Sequence, residues 1–170
     1  MALTYVNIAS TTVGTATNAV TFSSIPSTYT DLAVRWSARC DNEQNRIRLT
    51  FNGSSATTYS ETGMNGDGTA PSYTRTSNAT YISLWFGMNN SAYTANTFSN
   101  GELYIPSYTV SQNKPSWTFM TQETSATQSL LQMGANLWRN TSAISSMTFT
   151  TNANNFVVGS TFYLYGIKNS

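Results

Sequence analysis

Apolar and polar side chains alternate along most of the chain with a period of two rather than 3.6. The apolar positions hold mainly β-branched and aromatic residues, the types that suit a pleated, half-buried surface. The alternation predicts strands over Leu3–Ile8, Ala19–Phe22, Asp31–Arg39, Arg46–Asn52, Thr57–Glu61, Thr80–Phe86, Glu102–Ile105, Trp117–Gln122, Leu130–Met133, Ile144–Thr150 and Phe156–Ile167. Turn clusters such as Asn52-Gly53-Ser54-Ser55, Gly63-Met64-Asn65-Gly66-Asp67-Gly68 and Asn152-Ala153-Asn154-Asn155 separate them, and Pro26, Pro71, Pro106 and Pro115 fall at the joints. About ten short strands with no linker-like stretch imply one all-β domain over residues 1–170. The expected architecture is a two-sheet antiparallel sandwich, a jelly roll first and an immunoglobulin-like sandwich second. Roughly the first 15 residues are expected to dock on a neighbour, which would tie down a terminus that otherwise frays.

Residues 31–52 show the pattern most clearly. Leu32, Val34, Trp36 and Ala38 alternate with Ala33, Arg35, Ser37 and Arg39; Ile47, Leu49 and Phe51 alternate with Arg46, Arg48, Thr50 and Asn52. Setting Arg39 opposite Arg46 makes a hairpin that pairs Ala38 with Ile47, Trp36 with Leu49 and Val34 with Phe51. That register gathers Arg35, Arg39, Arg46 and Arg48, half of the eight basic residues, on one outer face. Directly opposed like charges are unfavourable without an anion between them. Either Asp41, Glu43 or Glu61 folds over the patch, or an acidic surface of another subunit meets it. Towards the C-terminus, residues 162–167 are apolar or aromatic on both parities, so that strand is expected to be covered on both faces. Its second cover is either intramolecular or a neighbouring copy packed on Tyr163 and Tyr165.

Composition narrows the chemistry. Thr (28), Ser (23) and Asn (18) dominate while charged residues are only 9%, so hydroxyls and amides supply the solvated surface. A hydrophobic share of 39% with 13% aromatics separates this from a disordered polar tract. Histidine is absent, which removes Ser-His-acid and Cys-His catalysis and mixed Cys/His zinc ligation from this chain. A single cysteine, Cys40, permits no intrachain disulfide and reads as a small structural thiol. A net charge of +1 gives little attraction to a phosphate backbone, and no apolar run reaches the roughly 20 residues of a membrane-spanning helix. Nucleic acid and membrane are therefore not expected as partners, and no cofactor is expected.

The remaining candidates are binding features. Asn65-Gly66-Asp67-Gly68-Thr69 has one carboxylate and lacks the bidentate Glu of an EF-hand, so it reads as a turn. The seven Asp and Glu residues show no spacing that selects a glycosidase pair. Exposed aromatics on an amide-rich sandwich could stack on sugar rings, which makes Trp85, Tyr93 and Trp117, with Tyr108 and Trp138, candidates for glycan contact. Core and interface packing is the competing account of the same residues.

Three stretches carry a family resemblance: Ser24-Ile25-Pro26-Ser27-Thr28-Tyr29-Thr30-Asp31-Leu32; Arg48 to Ser54 with Tyr59; and Phe156-Val-Val-Gly-Ser-Thr-Phe-Tyr-Leu-Tyr-Gly-Ile-Lys168. Together they resemble small virion structural proteins of tailed bacteriophages. The resemblance implies a β-sandwich that assembles on a virion, often as a trimer, and it carries no active residues. The functional expectation is a non-enzymatic capsid decoration or cement protein, made in the bacterial host cytoplasm and bound to the outer surface of the major capsid shell. Its capsid contacts are expected at Arg35, Arg39, Arg46 and Arg48 with Leu3 and Tyr5 of the N-terminal segment, and its self-association at Tyr163 and Tyr165. The alternative is a receptor- or glycan-binding module of a tail or head fibre, working through loops around Gly63–Ser72 and Gly87–Asn96.

Overall fold

The computed structural model describes residues 4–43, 46–84, 88–125, 127–152 and 154–168. Leu3 and Trp85 lie outside the described residues. Among those described, twelve strands form: β1 (Thr4–Thr12), β2 (Ala19–Phe22), β3 (Asp31–Ala38), β4 (Ile47–Phe51), β5 (Tyr59–Gly66), β6 (Ser72–Ala79), β7 (Ile82–Leu84), β8 (Ser99–Ile105), β9 (Lys114–Thr124), β10 (Gln128–Trp138), β11 (Met147–Thr151) and β12 (Thr161–Lys168). Eight of them make one antiparallel sheet in the order β1-β12-β3-β8-β9-β10-β5-β6, and four make a second, β2-β11-β4-β7. The all-β, two-sheet architecture is as the alternation predicts. Twelve strands split eight and four exceed the eight of a simple jelly roll, so an antiparallel two-sheet sandwich is the name the connectivity supports.

The core lies between the sheets. From the large sheet Leu32, Val34 and Trp36 of β3, Phe162 and Leu164 of β12, and Leu103 and Ile105 of β8 point inward, against Ile47, Leu49 and Phe51 of β4 and Met147 and Phe149 of β11. Aromatic contacts join the layers: Trp36 meets Phe149 at 6.1 Å between centroids, Phe149 meets Phe162 at 5.5 Å, and Phe51 meets Trp138 at 5.4 Å. Each large apolar side chain so buried stabilises the fold by about 1.5–3 kcal/mol. Gly101 on β8 lies directly across from Trp36, and a Cβ there would sit 2.0 Å from the indole ring. The missing side chain is what lets the indole lie flat against β8.

The hairpin predicted between residues 31–39 and 46–52 does not form. β3 pairs with β12 and β8, while β4 pairs with β11 and β7. The two segments face each other across the core instead of lying side by side. Alternation identifies which face of each strand is apolar, and burial between two sheets satisfies two such faces as well as a shared ladder does.

The alternation does not anticipate β6, because Ser72–Ala79 is mostly polar and sits at the sheet edge. The Gly63–Gly68 cluster is not all turn, since β5 runs through Gly66. β9 and β10 form a hairpin of eleven residues on each side, longer than the pattern implies. At its C-terminal end the chain begins its strand at Thr161, and Phe156 makes isolated bridges to Thr17 and Cys40.

Candidate functional site

The candidate contact surface follows from the strand parity of β9, β10 and β5. On β9, Ser116, Thr118, Met120 and Gln122 are buried while Trp117 and Phe119 are exposed. On β10, Gln132, Asn136 and Trp138 are buried and Leu131, Met133 and Ala135 are exposed. On β5, Tyr59, Glu61 and Asn65 are buried and Met64 is 56% exposed. This half of the large sheet turns much of its polar side inward and its apolar side out. The inner layer is incompletely paired: both amide atoms of Gln122, Oε1 of Gln132, Nδ2 of Asn136 and Oγ of Ser116 are buried without a hydrogen-bond partner. Such groups cost free energy rather than supply it, so the inner face here contributes less than the Phe- and Leu-lined half.

Antiparallel register sets the exposed side chains in transverse rows. One row runs Tyr163, Arg35, Glu102, Phe119, Met133, Met64, Tyr73 across β12, β3, β8, β9, β10, β5 and β6. The neighbouring row runs Tyr165, Ala33, Tyr104, Trp117, Ala135, Thr62, Arg75. Small residues at Ala135 and Thr62 beside the bulky Met and aromatic row leave a groove of about 720 Å³, lined by Met64, Tyr73, Trp117, Phe119, Met133 and the edge of Glu102. Trp117 is 44% exposed and stacks on Tyr104, with centroids 5.8 Å apart and planes 19° from parallel.

Charge at the centre of this face is neutralised locally, while exposed Arg75 stands at its β6 edge. Arg35 Nε donates to Glu102 Oε2 at 3.0 Å, and its guanidinium lies 5.8 Å from the ring centre of Tyr5. Tyr5 meets Tyr165 edge-on at 6.2 Å, so β1 and β12 extend the aromatic surface to the far side of the sheet. Tyr104 donates its hydroxyl proton to Asp31 Oδ2 at 2.7 Å; burial and that carboxylate push the phenol up to about 12. The face carries a fixed dipolar pair at Arg35 and Glu102 and a phenol that stays neutral at physiological pH.

The four arginines expected on one face are separated. Arg35 points out from the large sheet, whereas Arg48 projects from the small sheet on the opposite side, 4.5 Å from the ring centre of Tyr81. Arg46 precedes β4 in the same small-sheet region. Arg39 is turned inward at 9% exposure and donates to the carbonyls of Thr94 (2.8 Å), Thr97 (2.9 Å) and Tyr93 (3.2 Å), pinning the loop that precedes β8. Two of the acids expected to cover the patch act elsewhere. Asp41 accepts from the backbone and side chain of Asn155, and Glu61 accepts from the backbone of Ser83. Glu102 is the acid that meets Arg35.

Tyr163 (38% exposed) and Tyr165 do share the outer face, so β12 is not covered on both sides by its own chain. Of the glycan candidates, Trp117 is on the surface, Tyr93 is half-buried and offers its carbonyl to Arg39, and Trp138 and Tyr108 are core residues. The turn at Asp67 closes on itself, with Thr69 donating both its N–H and its hydroxyl to Oδ1. Cys40 is buried and its thiol is pushed up to about 11 by desolvation, the setting of a structural rather than a reactive cysteine. Among the described residues no group of three or more Cys, Asp or Glu side chains comes together as a metal site.

Sequence reasoning does not single out Met64, Phe119, Leu131 and Met133. The signal that could have found them is the polar parity of Ser116, Thr118, Gln122, Gln132 and Asn136, which marks one side of two paired strands as unlike an ordinary core. No family model matches the chain, and neither a curated protein nor a solved structure does.

Proposed function

We propose that this protein is a capsid decoration or cement protein of a tailed bacteriophage, a non-enzymatic sandwich that binds the outer surface of the major capsid shell and strengthens it by bridging subunits. The observation that carries this reading is the outer face of the large sheet. It is broad, rich in Met, Tyr, Phe and Trp, and has its central charges paired within the chain. Enrichment in aromatic residues, Met and Arg with few free charges is the composition of a protein contact surface. The contact residues on this reading are Tyr5, Arg35, Trp117, Phe119, Tyr163 and Tyr165, rather than the arginine set as a whole. Arg39 serves loop anchoring, and Arg46 and Arg48 belong to the other side of the sandwich. The mechanism is contact energy multiplied by copy number, since several weak attachments on one lattice add as avidity.

The test is the number of copies of this chain per copy of the major capsid protein in purified particles, by quantitative peptide mass spectrometry. A ratio near or above about one-third is expected for a surface lattice of simultaneous attachments. Absence from particles would reject the reading. A second reading, a glycan-binding module of a fibre, is favoured by one observation: the Trp117–Tyr104 stack presents an exposed aromatic platform. A ratio of a few copies per hundred, with a glycan-array signal lost on Trp117→Ala, would select it.

A further inference from the structure

The inner face of β5, β9 and β10 holds a small polar recess, and we infer that it is a binding site for a single water molecule that joins the two sheets. The recess lies on the side of the large sheet away from the contact face, so it is independent of what that face meets.

Strand register creates the recess. Thr118, Gly134, Gly63 and Thr74 stand in one transverse row across β9, β10, β5 and β6, with the inward parity of Gln132, Asn136 and Glu61. Two glycines side by side leave a gap, and the neighbouring polar groups lean over it. A Cβ on Gly134 would sit 2.6 Å from Thr118 Oγ1 and 3.6 Å from Asn136 Oδ1, and one on Gly63 would sit 3.4 Å from Gln132 Nε2. β7, the edge strand of the small sheet, lies over the gap, where Ser83 donates its N–H to Glu61. Between them remains about 10 Å³ for the centre of a water-sized sphere, which is room for one water molecule.

The polar groups decide the occupant. Gln132 and Asn136 are 3% and 6% exposed, and Ser83 lines the recess with them from the other sheet. Gln132 Oε1, Asn136 Nδ2 and Ser83 Oγ are each shielded from solvent and have no hydrogen-bond partner in the chain. Native folds leave few buried groups unsatisfied, and a water with two to four polar partners is a common way of meeting them. These three form a mixed set: the amide nitrogen needs an acceptor, the amide oxygen needs a donor, and the hydroxyl serves as either. Water accepts from Asn136 and donates to Gln132 and Ser83 at once. A cation would face the N–H of Asn136, and an apolar occupant would leave all three groups unpaired. The water thus ties β7 of the small sheet to β10 of the large sheet, in the half of the sandwich where the inner layer is polar. A groove of about 240 Å³ beside the β5–β6 bulge shares Glu61, Thr62 and Asn136 with the recess and gives the water its route to solvent.

The experiment is oxygen-17 relaxation dispersion on the full chain, which counts water oxygens held for longer than the protein takes to tumble, beside the variants Gly63→Ala and Gly63→Ser. Oxygen is the nucleus to follow, because the hydroxyl protons of Ser83 and Thr118 exchange with solvent and imitate bound water in proton spectra. Gly63 lies within strand β5, and an added Cβ meets Thr74 Cγ2 at 3.3 Å and Gln132 Nε2 at 3.4 Å, contacts that small side-chain shifts accommodate. Both variants should therefore keep the far-UV circular dichroism of the wild type, and each should hold one long-lived water fewer. The serine variant carries its own hydroxyl into the recess, so its folding equilibrium constant should exceed that of the alanine variant by about tenfold. A wild type with no long-lived water, equal counts in wild type and variants, or a serine variant less stable than the alanine variant would each overturn the inference. So would side-chain amide signals of Gln132 and Asn136 that shift when sodium in the buffer is replaced by potassium or calcium, which would put a cation in the recess.

Discussion

Arg39 and Arg35 sit four residues apart on one strand and its extension, yet the structure gives them opposite roles, and replacing each one measures the difference. Arg39→Met keeps a long unbranched side chain and removes three charge-assisted hydrogen bonds, to Thr94 O, Thr97 O and Tyr93 O. Bonds of that kind stabilise by about 1.5–3 kcal/mol each. The loop can recover part of this by turning carbonyls towards water, which brings the expected loss to about 3 kcal/mol. Thr94 and Thr97 also donate their hydroxyls to Glu123, at 2.8 and 3.2 Å, so the loop keeps a second tether to β9 and unfolding stays cooperative. For a domain of this size the loss corresponds to a Tm lower by about 6–12 °C. Arg35→Ala breaks an ion pair whose arginine side chain is 54% exposed and should cost less than about 1 kcal/mol. Urea unfolding followed by tryptophan fluorescence, at one fixed protein concentration, reads both. An Arg39→Met variant within about 1 kcal/mol of wild type, or an Arg35→Ala variant as costly as Arg39→Met, would refute this division of roles.

Three further outcomes follow from particular contacts. Gly101→Ala places a methyl 2.0 Å from the Trp36 ring, which also packs against Phe149 in the core; a loss of about 3 kcal/mol is expected from urea midpoints, and a neutral result would mean that the indole has room to move. The Asp41 carboxyl is held below the usual carboxylate range by the backbone N–H of Asn155, reinforced by its side chain. Because the folded value is the lower one, this stabilisation is fully present above about pH 4 and is lost as pH falls through the folded value. The midpoint gap between wild type and Asp41→Asn should therefore be larger at pH 7 than at pH 3. Cys40, buried with its thiol raised to about 11, should be inert to a disulfide reagent at pH 8 in the folded protein and titrate as one thiol in urea; rapid native reaction would contradict its burial.

The period-two alternation determined by itself that the chain is all-β, and it identified the apolar faces of residues 31–38 and 47–51, because a strand sends successive side chains to opposite sides whatever its neighbours are. Turn chemistry located most of the joints for an equally local reason: Asn52 and Gly53, for example, adopt positive φ, which short amide and glycine residues tolerate. Only the tertiary structure decided which strands pair. Both β3 and β4 have an apolar face, and nothing local distinguishes a hairpin from two layers of a sandwich. It also decided which side of β9 and β10 is the outside. Parity sorts Trp117, Phe119, Leu131 and Met133 into one set, but whether that set meets a core or solvent depends on where β7 and the small sheet lie. The arginines divide for the same reason. Arg39 is buried because carbonyls 54 to 58 residues further along the chain converge on it, whereas Arg35 finds its partner at Glu102 on the open face. Local pattern sets the two sides of a strand, and the free energy of long-range packing chooses between them.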